Sequence, residues 1–459
     1  MKNIGTSAFL AAACMAASAF ATPQKQAELT VAGYNGLEAL ENFPVLVRVS
    51  ESNISGFLYS DCAADGADVA FEDGAGNALD REIESWNPDG ESLVWVRLPA
   101  LAGGLKFKMA WGDPSVTAQP ASQTDGSVWR PAGYVGVWHF GGNGTDSAYG
   151  TTVSGTTGSP SFTTNATYPG PLGNGLWLNG SSSVSYGAGG PWAALGAGST
   201  LTVSCWARFT GSSPNYGRMV TTKFNWQDAA GYELTTQNSF TIITVGAAND
   251  KQMQTTISPG VNTAWCHLAA TYSGETASLF MDGTSAQSTT LAALAAPVNN
   301  LRIGSASSSD YWTGGIDEVR IRTSVSSADW LKAEYETVHV TGFLTYGAAV
   351  KASFDSMLRI IGSPTEIGSP SPAYGAVDGL EAGDPVSLSM SVTTVAGAGI
   401  VTNHLIGWTL EAVDLDTDAR TLIASSSDPG ATFNAYSYTH ASYAEFTWLW
   451  EVRDALGVG

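Results

Sequence analysis

The chain of 459 residues carries 20 Lys and Arg against 41 Asp and Glu, a net charge of −21, with 13% of residues charged. Soluble proteins hold about 25% charged residues on average; Gly, Ser, Thr, Ala and aromatics fill the difference here, a composition that permits large cores and excludes global disorder. The acidic excess excludes nucleic-acid binding, which needs a basic footprint, and docking on anionic membranes.

Residues 1–21 read as a secretory signal peptide. Lys2 gives the positive start, Ile4 to Ala17 an apolar stretch, and Ala19-Phe20-Ala21 a small-x-small cleavage site before Thr22-Pro23. The protein is therefore expected to be secreted or held at the cell surface. Lipoprotein processing at Cys14 ranks lower, because no Leu stands three residues before it. No apolar run beyond the signal reaches the ~18 residues of a spanning helix. After cleavage Cys62, Cys205 and Cys266 remain. Export permits a disulfide, and three cysteines allow one bridge.

Residues 22–126 read as a small β-sandwich. Phe43 to Val49, Leu93 to Leu98 and Leu105 to Trp111 alternate as strands. Asp65 to Asp68 and Phe71 to Gly74 supply turn chemistry between them. The Phe43-Pro44-Val45 strand, the Asp65 to Asp68 segment, Glu82-Ile83-Glu84 leading to Trp86, and Val94-Trp95-Val96 together resemble the bacterial domain of unknown function numbered 2341. That resemblance implies no chemistry.

A Pro-containing stretch at 114–132 reads as a linker, as does 347–375. Between them, residues 127–347 hold a longer series. Val135 to Phe140, Leu176 to Gly180, Ser183 to Tyr186, Leu201 to Arg208 and Trp265 to Tyr272 come first. A Leu279 to Gly283 hairpin, Leu301 to Gly304 and Tyr311 to Ile321 follow. The one helical signal closes the series at Ser326 to Val338. It has a Ser326-x-x-Asp329 start and Leu331, Tyr335 and Val338 on one face. The Trp strand, the Trp265-x-His267 strand, the Asp282-Gly283 hairpin and the Ile316-Asp-Glu-Val-Arg320 strand resemble, in order, the laminin-G-like, concanavalin A-like jelly roll. The resemblance implies two packed antiparallel sheets, a fold shared by lectins, adhesive modules and some glucanases. Residues 348–459 read as a C-terminal Ig-like β module, incomplete if the chain is a fragment. The fold class is thus all-β: a small β-sandwich, a jelly roll, then this module.

Glycoside hydrolysis needs two carboxylates flanking one bond. The jelly-roll region has no Glu-x-Asp-x-x-Glu run, so no catalytic residue is assigned. Glu82 and Glu84 share one strand face and read as a solvated edge guarded by charge. His139 and His267 read as core or sheet-face residues. Asp146, Asp282 and Asp317 are the candidate Ca²⁺ ligands, since hard cations take carboxylate oxygens; Asp282-Gly283 reads equally as a plain hairpin turn. Asp317 and Glu318 are expected on opposite faces, one of them paired with Arg320 or Arg302. Pentraxins, a related jelly-roll family, bridge cysteines on equivalent strands, which implies a Cys205–Cys266 disulfide with Cys62 left over. Loop aromatics Tyr216, Phe224, Trp226, Tyr232, Tyr311 and Trp312, interleaved with Asn225, Gln227 and Asp228, are the candidate glycan contacts. The expected function is non-catalytic: glycan binding or adhesion, with a polysaccharide or cell-surface glycan as partner. A polysaccharide-active enzyme or its accessory subunit, and a structural spacer, are the alternatives.

Overall fold

Alternating apolar and polar residues lay strands along almost the whole chain. The computed structural model describes residues 25–453 except 114–115, 166, 168, 197, 211–215, 226, 238–239, 246–251, 256–263, 292, 352–357, 364–365, 378–384, 392–393, 397–401, 415–419 and 435–441. The expected signal peptide lies outside the described residues. Two units result, one spanning 26–350 and the other containing 351–459.

In the first unit, Leu40–Val49, Ser92–Leu101 and Arg81–Ser85 form a three-stranded sheet. A second sheet runs in the order Leu344–Tyr346, Lys25–Val31, Lys106–Trp111, Ala70–Asp73, Ala78–Leu79. Its first strand comes from the far side of the jelly roll: Val31 pairs with Leu344 and Leu29 with Tyr346. The chain thus returns to the small sandwich before residue 347 instead of ending with the jelly roll. The stretch at 114–132 is no free linker either. Val128 and Trp129 are buried in the sandwich core, and Gln123 is hydrogen-bonded to both backbone groups of Ile83.

The jelly roll packs two antiparallel sheets face to face. One has eight strands, ordered Ser161–Phe162, Leu176–Asn179, Thr313–Arg322, Leu201–Phe209, Cys266–Ser273, Thr276–Met281, Thr284–Thr290, with Tyr134–Trp138 also on Thr313–Arg322. The other has seven: Gln252–Thr255, Phe240–Val245, Tyr232–Gln237, Gly217–Thr221, Leu301–Ile303, Ser183–Tyr186, Gly155–Thr157. Val203, Cys205, Ala207, Leu268, Ile316 and Val319 from the first meet Met219, Leu234, Ile243 and Ile303 from the second in one core. Tyr232 belongs to that core, not to a binding loop. Gly314 is required where it stands: its φ is +132°, and a Cβ there would lie 2.1 Å from the Arg208 carbonyl oxygen.

The helix spans Ala328–His339, one residue later than its sequence signal. Ser327, not Ser326, is the cap, accepting the Trp330 N–H at 3.1 Å, while Asp329 accepts the Leu37 N–H. The helix buries Trp330, Leu331, Ala333 and Val338, each large apolar side chain contributing about 1.5–3 kcal/mol. It bridges the two domains. Trp330 meets Phe43 edge to face at 4.9 Å, and Thr337 Oγ1 accepts the Leu46 N–H. The Leu40–Val49 strand is therefore covered on both faces, which explains its nearly continuous apolar run.

The second unit has a sheet ordered Gly375–Val377, Leu358–Ser363, Ser442–Arg453, Thr402–Asp414, Thr394–Ala396, with Arg420–Ser426 added on Thr402–Asp414. Leu358–Ser363 and Ser442–Arg453 run parallel. A three-stranded sheet of Pro370–Ser371, Pro385–Met390 and Gly430–Asn434 completes it. Trp408, Phe446, Trp448 and Trp450 lie in its core with Ile360 and Leu388.

Candidate functional site

Strand alternation gives the seven-stranded sheet an outer face opposite its core. Arg302 pairs with Thr221, Thr221 with Glu233, and Glu233 with Thr244, making one polar row across four strands. Arg218 Nη1 lies 2.6 Å from Glu233 Oε2, and Arg218 Nη2 lies 3.1 Å from Asp310 Oδ2. Burial raises the Glu233 carboxyl against the pull of Arg218 and Lys223. Burial also lowers the Lys223 ammonium to about 8, opposed by Glu233 and Asp228. Arg218 Nε and Arg302 Nε are buried with no hydrogen-bond partner among the described residues. The row is buried: Arg218 is 2% exposed, and Thr221, Glu233 and Thr244 are fully covered.

The candidate glycan contacts divide into two groups. At one end of Gly217–Thr221, Phe224 is 45% exposed, with the Arg302 guanidinium 5.5 Å from its ring centroid. Asn225 and Asp228 stand beside it, but both side chains hold their own loop. Asp228 Oδ2 accepts the N–H groups of Phe224 and Asn225, and Asn225 Oδ1 accepts that of Gln227. Trp226 lies outside the described residues. At the other end are Tyr216 and half-buried Tyr311, next to Asp310, whose carbonyl accepts the Arg218 N–H. Phe224 lies three residues beyond the end of the strand that carries Arg218. Trp312 is not a contact: it is fully buried, edge-on to Phe209 at 5.4 Å. Sequence reasoning passed over Arg218, Lys223 and Glu233, because single charges in alternating strands carry no signal of mutual contact.

The three candidate Ca²⁺ ligands do not converge. Asp146 is buried, its oxygens accepting the N–H groups of Val137, Ala148 and Tyr149. Asp282 forms the hairpin turn at φ +49° and accepts the His267 N–H. Asp317 is buried and accepts the Glu318 N–H. Backbone donors take both oxygens of Asp146 and one each of Asp282 and Asp317; the Asp317 Oδ2 is buried without a hydrogen-bond partner among the described residues. The expected disulfide is not formed either: Cys205 and Cys266 are buried thiols. Register sets Cys205 opposite Leu268 and Cys266 opposite Ala207, so the two cysteines are diagonal rather than opposed. Burial pushes both thiols up.

A second cluster lies where the small sandwich covers the outer face of the eight-stranded sheet. Glu82 and Glu84 are on an edge strand, yet they are not solvated. Glu82 accepts from Trp129 Nε1 and Ser147 Oγ, both at 2.6 Å, and Glu84 from Trp95 Nε1 at 2.7 Å. Facing them, His139 Nδ1 donates to Glu318 Oε1 at 2.6 Å, and Arg320 Nη2 donates to Glu318 Oε2 at 2.6 Å. Glu318 and Asp317 leave the core together. The pairing of Thr313–Arg322 with Leu201–Phe209 shifts register there, and Glu318 takes φ +48°, as a β-bulge does. Trp95 stacks on the His139 ring at 5.7 Å, and the Arg320 guanidinium sits 4.6 Å over Trp95. Burial raises Glu84 to about 8, reinforced by Glu318 and opposed by His139. Burial would lower His139, but Glu318, Glu84 and Glu82 outweigh it and raise the imidazole to about 9. One turn away, Glu334 on the helix accepts from Ser204 at 2.5 Å, Tyr134 at 3.2 Å and His267 at 3.3 Å. The sequence signalled Glu82, Glu84 and Glu318 individually; their meeting across a domain boundary is a tertiary fact.

Two packed antiparallel sheets with this strand order define the larger domain. Residues 178–332 match the concanavalin A-like lectin/glucanases superfamily, Laminin_G_3. Residues 65–129, ahead of the concanavalin A-like domain, match a domain of unknown function, DUF2341. No curated protein matches the chain. Among solved structures, domain 4 of AbnA, a GH43 extracellular arabinanase from Geobacillus stearothermophilus crystallised with arabinotriose, is 15% identical with a TM-score of 0.36. That match covers 44% of this chain and 97% of the arabinanase domain. The botulinum neurotoxin serotype D/C binding domain is 10% identical over 64% of this chain and 70% of its own, with a TM-score of 0.34. Among the described residues no helix is long and apolar enough to cross a membrane.

Proposed function

We propose that the chain is an exported, non-catalytic protein that binds glycans or mediates adhesion through the outer face of the seven-stranded sheet. The observation that carries this reading is Phe224, 45% exposed at the rim of that sheet with the Arg302 guanidinium 5.5 Å from its ring centroid. Sugars are recognised by planar polar groups that fix hydroxyls and by aromatic faces on which rings stack. Phe224 and Tyr311 supply the faces and half-buried Arg302 a guanidinium beside Phe224, while buried Arg218 braces the sheet through Glu233 and Asp310. The other outer face is closed by the helix and the small sandwich; on this one Arg218, Thr221, Glu233 and Thr244 are buried, and the rim at Phe224 and Tyr216 is exposed. Residues 1–21 support export.

The test is a glycan array with the purified chain, run with Ca²⁺ and again with EDTA. Binding that survives EDTA and falls about tenfold in Phe224→Ala or Tyr311→Ala, the cost of about 1.4 kcal/mol of stacking, supports the proposal. Absence of binding to neutral and acidic glycans alike overturns it and leaves a structural spacer, the role that the closed eight-stranded face favours.

A further inference from the structure

Four carboxyl side chains, Glu82, Glu84, Asp317 and Glu318, share the seam between the two domains with His139 and Arg320. Uncompensated charge in such a place is costly. Either added protons or one divalent ion would remove the excess, and the geometry distinguishes them.

Glu84, His139 and Glu318 each offer a ligand atom, and the three lie within 4.8 Å of one another. Ligand atoms around a tetrahedral ion with bonds of about 2.0–2.2 Å lie roughly 3.3–3.6 Å apart; His139 Nδ1 is 3.6 Å from Glu84 Oε2 and 2.6 Å from Glu318 Oε1, to which it donates, so a bound ion would replace that proton and part the last two atoms by about 1 Å. Independently of the acidic cluster, His139 Nε2 is buried without a hydrogen-bond partner among the described residues and lies 3.8 Å from Glu82 Oε1. That is the arrangement of a metal-bound imidazole, whose other nitrogen faces an outer carboxylate. The remaining groups suit the same role. Trp95 Nε1 steadies Glu84 and Arg320 steadies Glu318. Exposed Gly141 lies over Glu84, and a Cβ there would sit 4.0 Å from Glu84 Oε1, so an ion has a short way in.

We propose that Glu84, His139 and Glu318 form a binding site for a divalent first-row ion of the Zn²⁺ class, with Glu82 as the outer partner of His139. The site takes one ligand from the small sandwich and two from the jelly roll, so the ion clamps the two domains. Mixed imidazole and carboxylate donors select Zn²⁺ over Ca²⁺, which prefers oxygen alone. This proposal is independent of the glycan reading.

The experiment uses the full chain, stripped with chelator and titrated with Zn²⁺ by calorimetry, with metal content measured by mass spectrometry after dialysis and melting followed with and without the ion. The expected result is one equivalent bound and a higher melting temperature. His139→Asn and Glu318→Gln should abolish that binding, and Glu82→Gln should weaken it 10–100-fold. If the first two variants fail to fold, Glu84→Gln, at the edge of the seam, serves as the ligand variant. No binding by the wild-type chain, or one equivalent bound unchanged in every folded ligand variant, overturns the proposal.

Discussion

Glu334 offers the sharpest test of how the helix is fastened to the jelly roll. Its carboxylate is buried, accepts from Ser204, Tyr134 and His267, and stands 3.9 Å from Arg320 Nη1. Burial alone would raise its pKa; Arg320 and His267 outweigh that and lower it from 4.5 to about 2. A carboxyl held that far below its ordinary value contributes about 3 kcal/mol of folding free energy at neutral pH. The folded pKa is depressed, so this contribution is present above pH 4.5 and is lost as pH falls toward 2. Glu334→Gln keeps the shape and removes the charge. By denaturant unfolding of the variant and the wild type across pH, it should cost about 3 kcal/mol at pH 7, with the difference shrinking steadily below pH 4.5. A cost under about 1 kcal/mol at pH 7, or a difference that does not shrink in acid, would show that Glu334 is held by shape rather than by charge.

Trp312→Ala should lower stability by about 3–5 kcal/mol, measured by denaturant titration; a folded variant of unchanged stability would return Trp312 to the binding surface. Cys205 and Cys266 should resist a thiol reagent in the native chain and react after unfolding, and a reductant should leave the melting temperature unchanged. A drop on reduction would reveal a disulfide. Gly314→Ala should cost about 2–4 kcal/mol, because a Cβ at that φ meets the Arg208 carbonyl; thermal melts would show it, and a neutral result would mean that the strand can shift.

The jelly roll was legible because its strands carry aromatic and Asp-Gly punctuation in sequence. The Thr284–Thr290 strand follows the Asp282-Gly283 turn as the pattern implies. Asp282 stands in the hairpin turn, and its carboxylate is engaged by the His267 N–H on the neighbouring strand. The Glu82-x-Glu84 strand was misread for a physical reason: alternation separates two faces but does not reveal whether the polar one meets water or a second domain. Likewise the bulge at Glu318 breaks the alternation that would have sent Asp317 and Glu318 to opposite sides. The proposed binding face was partly legible through its loop aromatics, while Arg218 and Glu233 meet diagonally across a strand pair whose register shifts between them.

The returning strand has a mechanical consequence. Lys25–Val31 and Leu344–Tyr346 are antiparallel neighbours, with Leu29 beside Tyr346, so the chain enters and leaves this unit at the same end of one strand pair. Tension applied through residues 25 and 347 loads that pair first, opening it one hydrogen bond at a time, and bypasses both sheets of the jelly roll. A protein tethered at its ends would carry its seven-stranded sheet outside the line of force, keeping that surface folded while the small sandwich yields.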